Sequence, residues 1–158
     1  MTQAPDFDLD VAHRYFAAGC FNKAWELMDK DDRTPEEDAE MLRLSLASHY
    51  HWTQRPDYDD TAASVAYWQT SRIYALLGQA QDARRSGELC LRASQGKGVG
   101  PFFLGYAYEA LARAASLAGD ARQAQAHVAE ARRCAQAVAD AGDRQALLDD
   151  LAVIKPAP

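Results

Sequence analysis

Apolar side chains recur along this chain at intervals of three and four residues, the spacing that places them on one face of an α-helix. No segment alternates apolar and polar residues for long enough to predict a β-strand. The pattern therefore predicts an all-α fold of about eight antiparallel helices. Their expected bounds are 9–18, 21–31, 35–54, 60–77, 81–94, 101–118, 121–140 and 144–154.

Several predicted helix starts carry specific capping residues. Thr34, Pro35 and Glu37 combine a capping hydroxyl, a proline at the first helical position and a glutamate that closes a capping box. Asp120 and Asp143 are predicted to cap the seventh and eighth helices with their side-chain carboxylates. These local signals fix where helices begin without saying how the helices pack.

Three glycines, Gly19, Gly78 and Gly119, are predicted to end a helix by adopting the left-handed conformation. The residues around these three glycines share one spacing. In this spacing an aromatic side chain packs between two helices, and small residues one turn later let the two helix backbones approach closely. The aligned sets are Asp8, Ala12, Tyr15, Gly19 and Ala24; Tyr67, Ser71, Tyr74, Gly78 and Ala83; and Tyr108, Ala112, Ala115, Gly119 and Ala124. The chain thus contains an internal repeat.

This repeat resembles the tetratricopeptide family. The match is best over 67–90, where Leu77 and Gly78 stand at the turn and Ala83 and Cys90 lie in the second helix. The resemblance implies an array of α-α hairpins or a compact right-handed superhelix, with the third predicted helix inserted between the first two repeats. The repeat glycines are 59 and 41 residues apart, whereas the family repeats at about 34 residues.

The resemblance also implies a binding surface, because the first helices of such hairpins line a concave face. His13, Arg72 and Arg113 occupy equivalent positions, and Trp68 and Glu109 are equivalent one turn earlier. Arginine binds carboxylates through paired hydrogen bonds, so an acidic peptide or protein is the expected partner. The predicted ligand-binding residues are Trp68, Arg72, Tyr106, Glu109, Arg113 and His13.

A purely structural interpretation competes with that binding site. Glu109 and Arg113 are four residues apart, in the order that favours an ion pair within one helix. Arg72 would then meet a different carboxylate. Under this interpretation the charged residues stabilise the fold and bind no partner.

His49 and His51 are the main residues that could support a different function. Residues two apart point to nearly opposite sides of a helix, so the two rings are not expected to hold one metal ion. Interior packing is the simpler explanation for both. An alternative hypothesis is a small-ligand sensor or hydrolase with a histidine-containing pocket near His49 and His51.

Length and charge limit the remaining possibilities. At 158 residues the chain is expected to form a single domain over 1–158, and its net charge of −6 disfavours nucleic acid as a partner. No apolar stretch predicts a membrane contact, and three widely spaced cysteines suggest reduced thiols in the cytoplasm. The sequence predicts no catalytic residues, no metal and no cofactor. Self-association into a homo-oligomer is a further hypothesis, since acidic residues concentrate in the first 60 positions.

Overall fold

A computed structural model of the chain describes residues 6–154, and the secondary structure in this range is entirely helical. The all-α prediction is therefore confirmed, but the described residues form seven helices and not eight. They are α1 (Leu9–Met28), α2 (Pro35–Thr53), α3 (Asp60–Leu76), α4 (Ala80–Ser94), α5 (Pro101–Leu117), α6 (Ala121–Ala137) and α7 (Ala141–Ala152). None of these helices combines the length and apolarity required to cross a lipid bilayer.

The missing helix boundary lies at Gly19, where the predicted turn is wrong. Helix α1 continues through this glycine, and its buried residues Ala17, Ala24 and Met28 lie on both sides of it. Glycine weakens a helix by only about 1 kcal/mol relative to alanine. Packing along 20 residues against α2 outweighs that cost.

The chain divides into two compact units, and the first ends at Asp59. In this unit α1 and α2 pack along each other, and the Ser48 hydroxyl donates a 2.8 Å hydrogen bond to the carbonyl oxygen of Ala17. The capping box of Thr34 and Glu37 is present as predicted. Helix α2, expected to be inserted between two repeats, is instead the packing partner of α1.

The second unit begins at Asp60 and contains two successive helical hairpins, α3 with α4 and α5 with α6. Gly78 and Gly119 end the first helix of each hairpin with φ values of +74° and +77°. In both turns the glycine N–H donates a hydrogen bond to the carbonyl oxygen three residues earlier. The N–H of the following residue donates to the carbonyl oxygen five residues before itself. This paired hydrogen bonding is the Schellman motif, so both glycine turns are confirmed.

Helix α7 follows the second hairpin and packs on α5 and α6. Its capping residue is Asp140, whose Oδ1 accepts a 2.9 Å hydrogen bond from the N–H of Asp143. The prediction that Asp143 caps this helix is wrong, because Ala141 and Gly142 already belong to its first turn. The single domain expected from the chain length stays a prediction.

Candidate functional site

The most unusual side chain of the second unit is Glu109, which lies in the middle of α5 and is completely buried. Its Oε2 accepts a 2.9 Å hydrogen bond from Trp68 Nε1. Its Oε1 accepts a 3.0 Å bond from Arg72 Nη1 and a further bond from Arg113 Nε. A buried carboxylate is tolerated only when opposite charge and hydrogen bonds compensate it, and these three donors do so. We call Trp68, Arg72, Glu109 and Arg113 the Glu109 cluster.

The internal repeat explains why these four residues meet. Arg72 and Arg113 each precede the glycine of their hairpin by six residues, and Trp68 and Glu109 each precede their arginine by four. Helices α3 and α5 contact each other directly. Two equivalent positions, each present in both hairpins, therefore supply the four members of the cluster.

Helix α7 adds a second carboxylate to the cluster. Arg113 Nη2 donates to the carbonyl oxygen of Asp150 at 3.0 Å and approaches its Oδ1 at 3.4 Å, while Arg72 Nη2 lies 3.7 Å from the same Oδ1. The Tyr106 hydroxyl donates to Asp150 Oδ2 at 2.9 Å. Burial, together with the charge of Asp150, raises the pKa of Tyr106, so its hydroxyl remains a donor at neutral pH.

Five of the predicted ligand-binding residues thus lie together, and their charges are balanced within the chain. Two guanidinium groups face two carboxylates, and the ion pair between Glu109 and Arg113 expected from the structural interpretation is present. Sequence reasoning missed Asp150, the second carboxylate that contacts both arginines. Its only signal was an acidic side chain between Leu147 and Leu151, the buried residues of α7.

A pocket of about 220 Å³ lies beside the Glu109 cluster. Equivalent residues of α3 and α5 line it, together with two residues that follow α7. Its lining residues are Arg72, Ala75, Leu76, Arg113, Ser116, Leu117, Val153 and Ile154. Leu76, Leu117 and Val153 are 43%, 44% and 62% exposed, so this apolar wall is open to solvent. We call this cavity the Leu76 pocket.

His13 belongs to α1 in the first unit, whereas the Glu109 cluster is built from residues of the second unit. Its predicted equivalence to the two arginines depended on a turn at Gly19, which is absent. The His13 Nδ1 atom lies 2.8 Å from the Nδ1 of His51, and the ring of Phe16 stacks on His51. At this distance one ring donates a proton and the other accepts it.

His49 has a different partner from His51, as their spacing predicted. Its Nε2 lies 2.8 Å from the hydroxyl oxygen of Tyr58. Burial lowers the pKa of His49, and burial with the nearby His13 lowers the pKa of His51. Within residues 6–154, no group of three or more histidine, cysteine, aspartate or glutamate side chains is arranged to hold a metal ion.

A second buried polar cluster connects α3 and α4. The Ser94 hydroxyl lies 2.7 Å from that of Ser64 and donates to the carbonyl of Cys90, whose thiol donates to the carbonyl of Ser64. Burial raises the pKa of the Cys90 thiol to about 11. The thiol is therefore protonated at neutral pH, which suits a structural residue and not a nucleophile.

No protein-family model, curated protein or solved structure matches this chain. The resemblance to tetratricopeptide repeats accordingly depends on the spacing of the repeated residues and on the two glycine turns.

Proposed function

We propose that helices α3 to α6 form a short tetratricopeptide-like array and that this part of the chain is a non-enzymatic binding module for a protein or peptide. One observation carries the proposal. The Leu76 pocket is lined by the same positions of both hairpins, in the pairs Arg72 with Arg113, Ala75 with Ser116 and Leu76 with Leu117. Repeat arrays bind ligands with equivalent positions of their first helices, which here are α3 and α5.

The chemistry of the pocket favours a ligand with an apolar side chain next to an acidic group. The open leucine side chains of α3 and α5 offer apolar surface that a ligand can remove from water. Arg72 and Arg113 keep 22% and 16% of their side-chain surface exposed at the same pocket. A carboxylate of the ligand can reach them there without displacing Glu109.

The test is a selection of random displayed peptides on the full chain, followed by affinity measurements on the enriched peptides. Replacing Leu76 and Leu117 together with serine removes both leucines of the apolar wall and changes no residue of the Glu109 cluster. We expect the double variant to bind the enriched peptides at least about tenfold more weakly. Leu46→Ser is the matched control, since Leu46 is 48% exposed and lies in α2. Equal binding by the double variant and the wild type would refute the proposal.

A further inference from the structure

The large apolar side chains that stay exposed within residues 6–154 are unevenly distributed. In the second unit they are Leu76, Leu117 and Val153, and all three line the Leu76 pocket. In the first unit they are Phe7, Leu9, Val11, Tyr15, Phe16, Leu46 and Tyr50. The first unit thus offers apolar side chains to a partner, and the second unit offers a pocket that could receive one.

One segment of the first unit combines exposed apolar side chains with acidic neighbours. In it aspartates alternate with apolar residues, in the order Asp6, Phe7, Asp8, Leu9, Asp10 and Val11. The other large apolar residues exposed within the described range have no acidic residue next to them in the sequence. An apolar side chain beside an acidic group is the ligand chemistry that the Leu76 pocket favours. We call residues 6–11 the acidic segment.

Within the acidic segment, Phe7 and Asp6 are the residues available to a partner. Asp8 is already used as the cap of α1, because its Oδ1 accepts hydrogen bonds from the N–H groups of Asp10 and Val11 at 2.9 and 3.2 Å. Phe7 and Asp6 precede the helix, and Phe7 is 60% exposed. Asp6 forms no ion pair with any residue of the described range 6–154.

The size of the Leu76 pocket suits a single side chain. At about 220 Å³ it is smaller than the roughly 300–1,000 Å³ of sites that hold drug-sized ligands. An aromatic ring such as that of Phe7 buries a large apolar area with few rotatable bonds. One ring in this pocket therefore removes both partners' exposed apolar surface from water.

We propose that the partner of the Leu76 pocket is the acidic segment of a second copy of this chain. Phe7 of one copy lies between Leu76 and Leu117 of the other, and the carboxylate of Asp6 reaches the exposed edges of the two pocket arginines. The proposal rests on the binding function argued above and names its partner. Because segment and pocket are different surfaces, the copies join head to tail.

The charge distribution favours this arrangement over a symmetric one. Residues 1–59 include 13 acidic and 6 basic side chains, whereas residues 60–158 include 10 and 11. Two copies that met through their first units would repel each other, while head-to-tail contact places an acidic unit beside a slightly basic one. Added salt is therefore expected to weaken the association.

The first experiment is sedimentation velocity of the full chain between about 10 µM and about 1 mM. One buried side chain and one charged hydrogen bond predict association with a dissociation constant on the order of 100 µM. Phe7→Ser is expected to weaken it at least about tenfold, and Asp6→Asn about threefold to tenfold. Tyr15→Ser is the matched control, since Tyr15 is 73% exposed in the same unit and has no acidic neighbour. It should associate like the wild type.

The second experiment mixes two variants that are each defective on one side of the contact. Phe7→Ser keeps the pocket, and the Leu76→Ser, Leu117→Ser double variant keeps the acidic segment. Each variant alone is expected to stay monomeric with a wild-type circular dichroism spectrum. An equimolar mixture should form one-to-one dimers with the affinity of the wild-type contact, because only one intact segment and one intact pocket then meet.

A wild type that stays monomeric up to about 1 mM would overturn the proposal. Association that survives Phe7→Ser would do the same, as would a mixture of folded variants without dimers. Should the double variant not fold, the comparison of Phe7→Ser with Tyr15→Ser still decides the outcome. The binding function would survive each of these failures if displayed peptides still require Leu76 and Leu117, so the two proposals can fail separately.

Discussion

The buried carboxylate of Glu109 determines the structural role of the two arginines that contact it. Its carboxylate has no exposed surface and is surrounded by three donors, so Arg72 and Arg113 are held as structural cations. Removing one partner of a buried ion pair leaves uncompensated charge, which costs more than the intact pair contributes. The arginines thus stabilise the second unit as well as line the Leu76 pocket.

We predict that Glu109→Ala lowers the free energy of unfolding by about 3–5 kcal/mol, because two partly buried guanidinium groups lose their shared acceptor. Urea denaturation followed by circular dichroism measures this change. Glu88→Ala is the control, since Glu88 pairs with Arg84 on the exposed surface of α4 and such pairs contribute little. A loss below about 1 kcal/mol for Glu109→Ala would contradict the structural role.

At the scale of elements, the three repeat glycines have two different roles. Gly78 and Gly119 adopt positive φ at the ends of α3 and α5, a conformation that other residues enter only at a cost. Gly19 lies within α1, and a Cβ atom built on it meets no other atom within 4 Å. The same residue type therefore stabilises a turn in two places and weakens a helix in the third.

We predict opposite effects of alanine at these positions. Gly19→Ala should raise the free energy of unfolding by about 1 kcal/mol through the higher helix propensity of alanine. Gly119→Ala should lower it by about 1–2 kcal/mol, because alanine is strained in the left-handed turn. Urea denaturation of both variants measures the two changes in the free energy of unfolding, which we expect to have opposite signs. A destabilising Gly19→Ala variant would indicate a turn at Gly19 after all.

These elements also explain which features the sequence could predict. The capping box at Thr34 and the glycine turns at Gly78 and Gly119 are built from residues within a few positions of each other, so local reasoning found them. Gly19 was misjudged because packing of α1 against α2 overrides local preference. Asp150 was missed because its contact with Arg113 spans 37 residues and depends on how α7 docks.

At the scale of the whole molecule, histidine protonation connects stability to pH. Burial is the largest cause that lowers the pKa of His49 and His51 in the first unit and of His127 in the second, all from an ordinary value of 6.5. The unfolded chain consequently binds more protons than the folded chain between those lowered values and about 6.5. Stability is full above this range and decreases as the pH falls through it.

We therefore predict that the free energy of unfolding stays level from pH 7.5 to about pH 6.5 and then decreases towards about pH 5, before most carboxylates begin to titrate. His49→Gln should reduce this slope, since glutamine offers a hydrogen-bonding group to Tyr58 without taking up a proton. Urea denaturation across this pH range measures the slope, and NMR titration of the imidazole signals assigns it to individual histidines. Stability that rises on acidification, or imidazoles that titrate above 6.5, would mean that the folded state favours the charged rings. Loss of the hydrogen bond between His51 and His13 acts in the same direction as the lowered pKa of His51, because two protonated rings repel each other and leave no acceptor between them.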